Sequence, residues 1–483
     1  MNKIFLLSFT LLFHSLQGQL PGFQLLIRSD KDIYPTDVME TDSNQFIVVG
    51  YEKVSGDGQT KFNAVEYLVN HPEYKLMDYR PSSYILMIRL LSNGDTLRVL
   101  FNDIGESVQL SFYIHSGMEI YEDHFTGNFE SASIKGILET DSAIYLAGDE
   151  QMNGIWYARI FKISKEARIL KSIRLSPGSV VPIALAVDIK ERNDTLLISA
   201  FGIPLKGFSV LVNKLIRTDL DLNPIDTLPF PGNTYGNVFM KKLSDQSFIV
   251  SGRTAYSKGL DDMNNLIVAH AEIGDSITYL DTVIIGSDTL PEIEGINTLA
   301  PFEGGFYFAG TQKYLATPTP NRQNFENKWI VSRFNDRLEK MWTKRISLRH
   351  HFLFLLRAIA TKDKGLLLVG TAYDYKSKTD TNVNIYIVKL DSLGNIATGL
   401  SPGLLPAEDF LIRPNPGTDY LDISLPNAAR GRFSLFDIQG RLIIRQRFEQ
   451  RLRIPTAKLP AGIYIYRIRD DKNRMQHGKW VKQ

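Results

Sequence analysis

The stretch AIATKDKGLLLVGTAYDYKSKTDTNVNIYIVKLDSLGN (358–395) alternates short apolar runs with polar punctuation. It reads as a strand, a Lys-Asp-Lys-Gly turn, a second strand ending in Gly370, a longer polar connection, a third strand IYIVKL and a further turn at LDSLGN. β-branched and large apolar residues bounded by Gly, Asp and Asn carry that reading. The rhythm recurs along the chain. Strands ending in glycine stand at FIVVG (46–50), IYLAG (144–148), FIVSG (248–252), FYFAG (306–310) and LLLVG (366–370), with LLISAFG (196–202) a looser copy. Each follows a short strand and a polar turn, and each precedes another apolar strand, such as WYARIFKI (156–163), LIVAHAEI (266–273) or WIVSRF (329–334).

From Gly148 onward the glycine spacings are 54, 50, 58 and 60 residues; Gly50 to Gly148 is 98, room for two units. A hidden second unit reads YILMIRLL, TLRVLF, SVQLSFYI and MEIYEDHF, and the first continues through KFNAVEYLV and YKLMDY. One unit is then four meandering strands, A to D. A lone four-stranded sheet with two apolar faces cannot bury both, but a ring of them can. The expected fold is all-β: a seven-bladed β-propeller over 19–397, six blades being the alternative count. The recurrent glycine is expected where strand B leaves the ring and the backbone needs freedom. The last unit lacks a fourth strand, and FQLLIRSD (23–30) has no partners before it. It is expected to complete the last blade and close the ring, removing two open edges.

The 483 residues suit more than one domain, and 43% hydrophobic with 22% charged residues is ordinary globular composition. A net charge of +2 gives no hint of nucleic acid. Lys3 precedes an apolar run, Ile4 to Phe13, with small and polar residues after it; a signal peptide over 1–18 is expected, a buried N-terminal strand or helix being the alternative. That run is too short for a bilayer span, and none other approaches one. The absence of cysteine removes disulfides, thiol catalysis, Cys-ligated zinc and lipoprotein anchoring.

Residues 398–411 read as a linker. Beyond it, over 412–483, the period-2 pattern resumes in YLDISL, RFSLFDI, RLIIRQRF, IYIYRI and GKWVK, the pattern of a small β-sandwich. Four motifs stand in order: RPNPGTDYLDISL (413–425), FSLFDIQGRLI (433–443), IPTAKLPAGIYIYRI (454–468) and GKWVK (478–482). Together they resemble the type A C-terminal sorting domain of the type IX secretion system. The residues that carry the resemblance are Pro414, Asn415, Pro416, Gly440, Arg441, Leu459, Gly462 and Tyr464. It implies passage of the periplasm, export across the outer membrane by the type IX machinery, removal of the tail by a sortase-like enzyme, and a cell-surface or extracellular destination. From 411 to 483, fifteen Lys/Arg face six Asp/Glu, +9, leaving −7 on the remainder. A basic recognition module on an acidic cargo is one reading; a solvated basic face is the other.

Chemistry is harder to find. His350 and His351, adjacent on a strand, would point to opposite faces and share no ion. No HExxH, GxSxG, Walker A or GxGxxG motif is present, so neither metal nor cofactor is expected. Asp219 and Asp221 read as a C–D hairpin turn rather than a calcium loop, since LDSLGN and FNDRLEK occupy the same place in other units. Long B–C connections are expected in units one (52–61), five (253–265), six (311–328) and seven (371–384), neighbours in a closed ring. The last three carry Tyr256, Asp261, Asp262, Tyr314, Arg322, Asn324, Tyr373, Asp374 and Tyr375, a composition suited to a glycan or peptide ligand. Non-enzymatic binding or scaffolding is the leading expectation. The alternative is a glycan-active enzyme with catalytic carboxylates on this face.

Overall fold

The structure, a computed structural model, describes residues 22–396 and 411–483, apart from 42–44, 57–58, 71–72, 104–107, 128, 176–182, 204–211, 233, 256–263, 287–289, 315–320, 378, 380, 414–416, 425–429, 438–440 and 471–474. The expected signal peptide lies outside these residues, as does the linker save Leu411, which opens a strand.

Every regular element among the described residues is a β-strand. Ahead of the tail they form seven four-stranded antiparallel sheets, I to VII, spanning 32–80, 83–127, 131–175, 183–229, 234–285, 292–346 and 351–390. In I to VI the strands meander A-B-C-D in chain order. In VII the chain supplies A to C as His351–Ala360, Leu366–Asp374 and Val383–Leu390. The outer place is taken by Phe23–Ile27, in register from Phe23↔Lys389 to Ile27↔Ile385. The turn that would launch a fourth strand is kept at Asp391–Asn395, but the strand comes from the N-terminal end, as expected.

Both faces of each sheet are covered, which is why the middle strands read as unbroken apolar runs; all eight residues of Val383–Leu390 are buried. A separate apolar cluster fills each junction between successive sheets. Met39 meets Ile85 between I and II, Phe112 meets Phe161 between II and III, and Tyr145 meets Ile198 between III and IV. Leu215 meets Phe248 between IV and V, Leu266 meets Phe306 between V and VI, and Trp329 meets Tyr386 between VI and VII. Val48 and Tyr67 of I meet Leu367 and Ile385 of VII, so the ring is closed. This is a propeller-like β architecture.

The recurrent glycine has a different cause from the one expected. Strand B does not leave the ring there: Gly50 lies within Phe46–Gly56 and Gly370 within Leu366–Asp374. Opposite each, strand A carries a bulge, as between Pro35 and Asp37 or Leu355 and Arg357. The bulge drives a strand A carbonyl onto the glycine. A Cβ at Gly50, Gly148 or Gly370 would lie 2.0, 1.9 or 2.2 Å from the carbonyl oxygen of Tyr34, Ser133 or Phe354. Close approach, not a left-handed backbone, is the requirement.

The C–D turns are as expected. Asp219 Oδ1 accepts the Asp221 and Asn223 amides at 2.9 and 2.7 Å, with Leu222 left-handed at φ 62°. Asp391 and Asn335 repeat the arrangement through Leu393 and Asn395, and through Arg337 and Glu339. The carboxylate of Asp219 is thus occupied in closing its own turn.

The tail is a sandwich of two sheets. One joins Leu411–Arg413, Tyr420–Ser424 and Arg451–Pro455; the other is ordered Leu442–Glu449, Arg430–Phe436, Gly462–Asp470, Met475–Lys482. Leu421, Ile423, Phe433, Leu435, Tyr466, Ile468 and Trp480 fill the space between them.

Candidate functional site

The B–C and D–A connections share one face of the ring, here the upper face. Its connections differ from those expected. In sheet I, Phe46–Gly56 and Gln59–Asn70 pair to Gly56↔Gln59, so 52–61 is mostly strand rather than a long connection. In sheet IV the strands end at Ile203 and resume at Val212, leaving 204–211, as many residues as 256–263 in V or 375–382 in VII. The longest is 313–327 in VI.

Arg322, from that connection, reaches across VII to the first residue of sheet I: its Nη2 lies 2.5 Å from both carboxylate oxygens of Asp32. Asp32 Oδ1 also accepts the Val383 amide at 2.8 Å, and the Arg322 guanidinium stands 5.7 Å from the Tyr373 ring centre. Burial opposes the charge on Arg322, yet Asp32 holds its pKa above the usual range. Burial and the Asp32 carboxylate push the Tyr34 hydroxyl to about 12. Behind it, Tyr34 stacks on Tyr51 (5.2 Å), Tyr51 meets Tyr84 (5.5 Å), and Tyr84 stacks on Phe101 (4.6 Å). This aromatic file from I into II went unseen in the sequence because its members sit on four different strands.

Arg322 and Tyr373 are therefore brought together. Asp374 instead caps its own turn, accepting the Lys376 and Ser377 amides at 2.9 and 3.1 Å. Tyr375 follows it, with Lys376 over its ring at 5.6 Å. Tyr314 is half-buried against Phe354, 5.4 Å between ring centres, and burial raises its hydroxyl pKa. Asn324 is exposed. Tyr256, Asp261 and Asp262 lie outside the described residues. His350 sits in a turn with φ 64°, while His351 is buried with Nδ1 2.8 Å from the Arg349 carbonyl. Among the described residues no group of three His, Asp or Glu could hold a metal ion.

Two carboxylates not singled out in the sequence lie on the first strand of VI, facing V. Both are buried. Glu292 accepts from Gln312 Nε2 at 2.8 Å, and Glu294 meets Arg253 Nε and the Asn237 amide, each at 2.6 Å. Two left-handed glycines press on them: a Cβ at Gly286 would overlap Glu292, and one at Gly236 would overlap Glu294 and Arg253. Burial raises the Glu294 pKa, opposed by Arg253. The signal in the sequence was Glu-x-Glu at the start of an otherwise apolar strand.

In the tail, Pro414, Asn415, Pro416 and Gly440 lie outside the described residues. Arg441 pairs with Asp437 at 2.6 Å, and the Leu459 amide donates to the Thr456 carbonyl at 2.9 Å. Gly462 opens the strand that carries Tyr464, which is buried against Trp480 with its hydroxyl on the Pro460 carbonyl at 2.9 Å. Gly417 ties the start of the tail to its last residues: its amide donates to the Val481 carbonyl, and its carbonyl accepts from the Gln483 amide, both at 2.9 Å.

Residues 411–483 match a protein-family model described as the Secretion system C-terminal sorting domain. No curated protein sequence matches the chain. Among solved structures, a fungal alcohol oxidase in complex with copper is 10% identical, with 96% of this chain and 99% of that one covered and a TM-score of 0.44. The endosialidase of phage phi92 is 8% identical over 95% of this chain and 87% of its own, TM-score 0.43. An acylaminoacyl peptidase from Pyrococcus horikoshii is 10% identical over 81% of this chain and 57% of its own, TM-score 0.43. Likenesses of this size carry no activity across.

Proposed function

We propose that this chain, whose end is a secretion-system sorting domain, is a type IX cargo delivered to the cell surface or medium, where the upper face of its propeller binds a glycan or peptide without converting it. The family match at 411–483 is the observation that carries the export half. A leader over 1–18 and removal of the tail by a sortase-like enzyme belong to the same proposal. The binding half is supported by Tyr373, Tyr375 and Arg322, which stand at the B–C connections of VI and VII, with Arg322 over the Tyr373 ring. The carboxylates Asp32 and Asp374 beside Tyr373 are each held by donors of the protein itself, which suits a fixed recognition surface.

Two experiments test it. Deleting 412–483 should strand the chain in the periplasm; equal surface levels of truncated and intact chains would sink the export half. The mature full chain, applied to glycan and peptide arrays, should find a ligand. Replacing Tyr256, Tyr373 and Tyr375 with Ala should then abolish weak binding, each ring being worth about 1 kcal/mol. Undiminished binding by the folded triple variant would place the site elsewhere. A second reading, a glycan-active enzyme, takes its support from Glu292 and Glu294, two carboxyls two residues apart on the first strand of VI, the second beside Arg253 and held above its usual range by burial. Glycan hydrolysis by the intact chain that disappears in Glu294→Gln would establish it.

A further inference from the structure

The outer face of the tail's four-stranded sheet gathers like charges. Arg432, on Arg430–Phe436, is in register with Arg447 on one neighbouring strand and Arg469 on the other. One step along, Ser434 stands between Arg445 and Arg467. Residues directly opposite on a ladder have Cβ atoms about 5 Å apart, and like charges there destabilise the sheet. Arg432, Arg445 and Arg447 are exposed and have no carboxylate partner among the described residues. Other arginines of the tail are paired: Arg430 with Glu449, Arg441 with Asp437, Arg453 with Asp422. Beside these rows the same face exposes Ile443, Ile463 and Ile465, at 41%, 45% and 36%. A soluble sandwich has no need of three bare isoleucines next to guanidinium groups that no described carboxylate meets.

We infer that this face docks an acidic protein surface of the export machinery, and that its arginines are aligned for that contact at the expense of the tail's own stability. The inference rests on the export reading above. A protein partner fits the composition better than a lipid surface does. Guanidinium groups fixed on a rigid sheet match carboxylates two oxygens at a time, and arginine with large apolar residues is what interface centres enrich. Arg432 is the key position, because Glu there faces Arg447 and turns a repulsive pair into an attractive one.

The test uses the full chain in its producing cell. Arg432→Glu should keep or raise the melting temperature of the tail, while the exported amount falls roughly tenfold, as loss of charge complementarity at a docking surface entails. Arg432→Lys, which keeps the charge, should export within about twofold of the parent. Export of both R432E and the triple reversal R432E/R445E/R447E at the parental level, with the 412–483 deletion retained, would overturn the face and leave the export reading standing. Normal export of the deletion would remove both. If R432E unfolds the tail, the pair R445Q/R447Q carries the same export test, since it only neutralises exposed positions. Co-sedimentation of the intact chain with phosphatidylglycerol vesicles, lost in the triple reversal, would assign the face to lipid and overturn the protein partner.

Discussion

Lys389 is fully buried in sheet VII, its ammonium 2.9 Å from both oxygens of Asp363 in the turn between strands A and B. Burial alone would raise the Asp363 pKa, but Thr361, Lys389 and the Gly365 amide overcome it and hold the carboxyl below its usual range. A depressed carboxyl contributes stability above its unfolded pKa of about 3.9, and that contribution is lost as the pH falls through the lower folded value. Asp363→Asn should therefore cost about 3 kcal/mol near neutrality by leaving Lys389 unpaired. Denaturant titrations of parent and variant should converge below the folded pKa; a constant gap across pH would refute the pairing. At the glycines the sequence showed a recurrence without its reason. The bulge that presses Ser133 onto Gly148 is a property of strand A, and Leu100 stands at the corresponding place in sheet II without a glycine. Gly148→Ala, whose methyl would overlap a backbone oxygen, should destabilise by about 1–3 kcal/mol in a thermal melt. An unchanged melt would mean that the strands can part.

Elements were legible where their turns are chemically marked. The C–D hairpins announce themselves through an Asp or Asn whose side chain closes the turn, and Asp219 and Asp391 do so. The first B–C connection differs from its expected length because EKVSGDGQTK (52–61) is polar and carries no apolar alternation, yet its backbone pairs out to Gly56↔Gln59. Asp57-Gly58 was the available clue, since that dipeptide between paired strands is a hairpin signal. In the tail, the closing strand Met475–Lys482 carries the fully buried Trp480, and Gly417 clamps the residues beside it. Trp480→Ala should cost the sandwich about 3–5 kcal/mol. Limited proteolysis of the full chain should then release the tail region first; an equally resistant tail would show that the last strand is dispensable to its core.

At the scale of the ring, the strand that closes the structure precedes in sequence everything it closes. Phe23 and Ile27 pack into the VII–I junction, Leu26 into the VI–VII junction, so one five-residue strand holds two interfaces as well as an edge. That much could be read from a missing fourth strand at one end and an unpartnered strand at the other. The upper face could not be read so directly, because its residues converge from different sheets: Arg322 of VI meets Asp32 of I over the top of VII. Burying three side chains of that size is worth about 1.5–3 kcal/mol each as an upper estimate. Against a whole-domain stability of about 5–15 kcal/mol, losing them is decisive. Deleting 22–30 would also bare the ladder edge of Val383–Leu390, eight buried residues ready to pair with another chain. The truncated chain should melt well below the parent and elute as oligomers or aggregate in size-exclusion chromatography. A peptide of residues 22–30 added during refolding should restore monomer by occupying the vacant place beside Val383–Leu390. A truncated chain that stays monomeric with the parental melting temperature would mean that the seven sheets hold their ring without a closing strand.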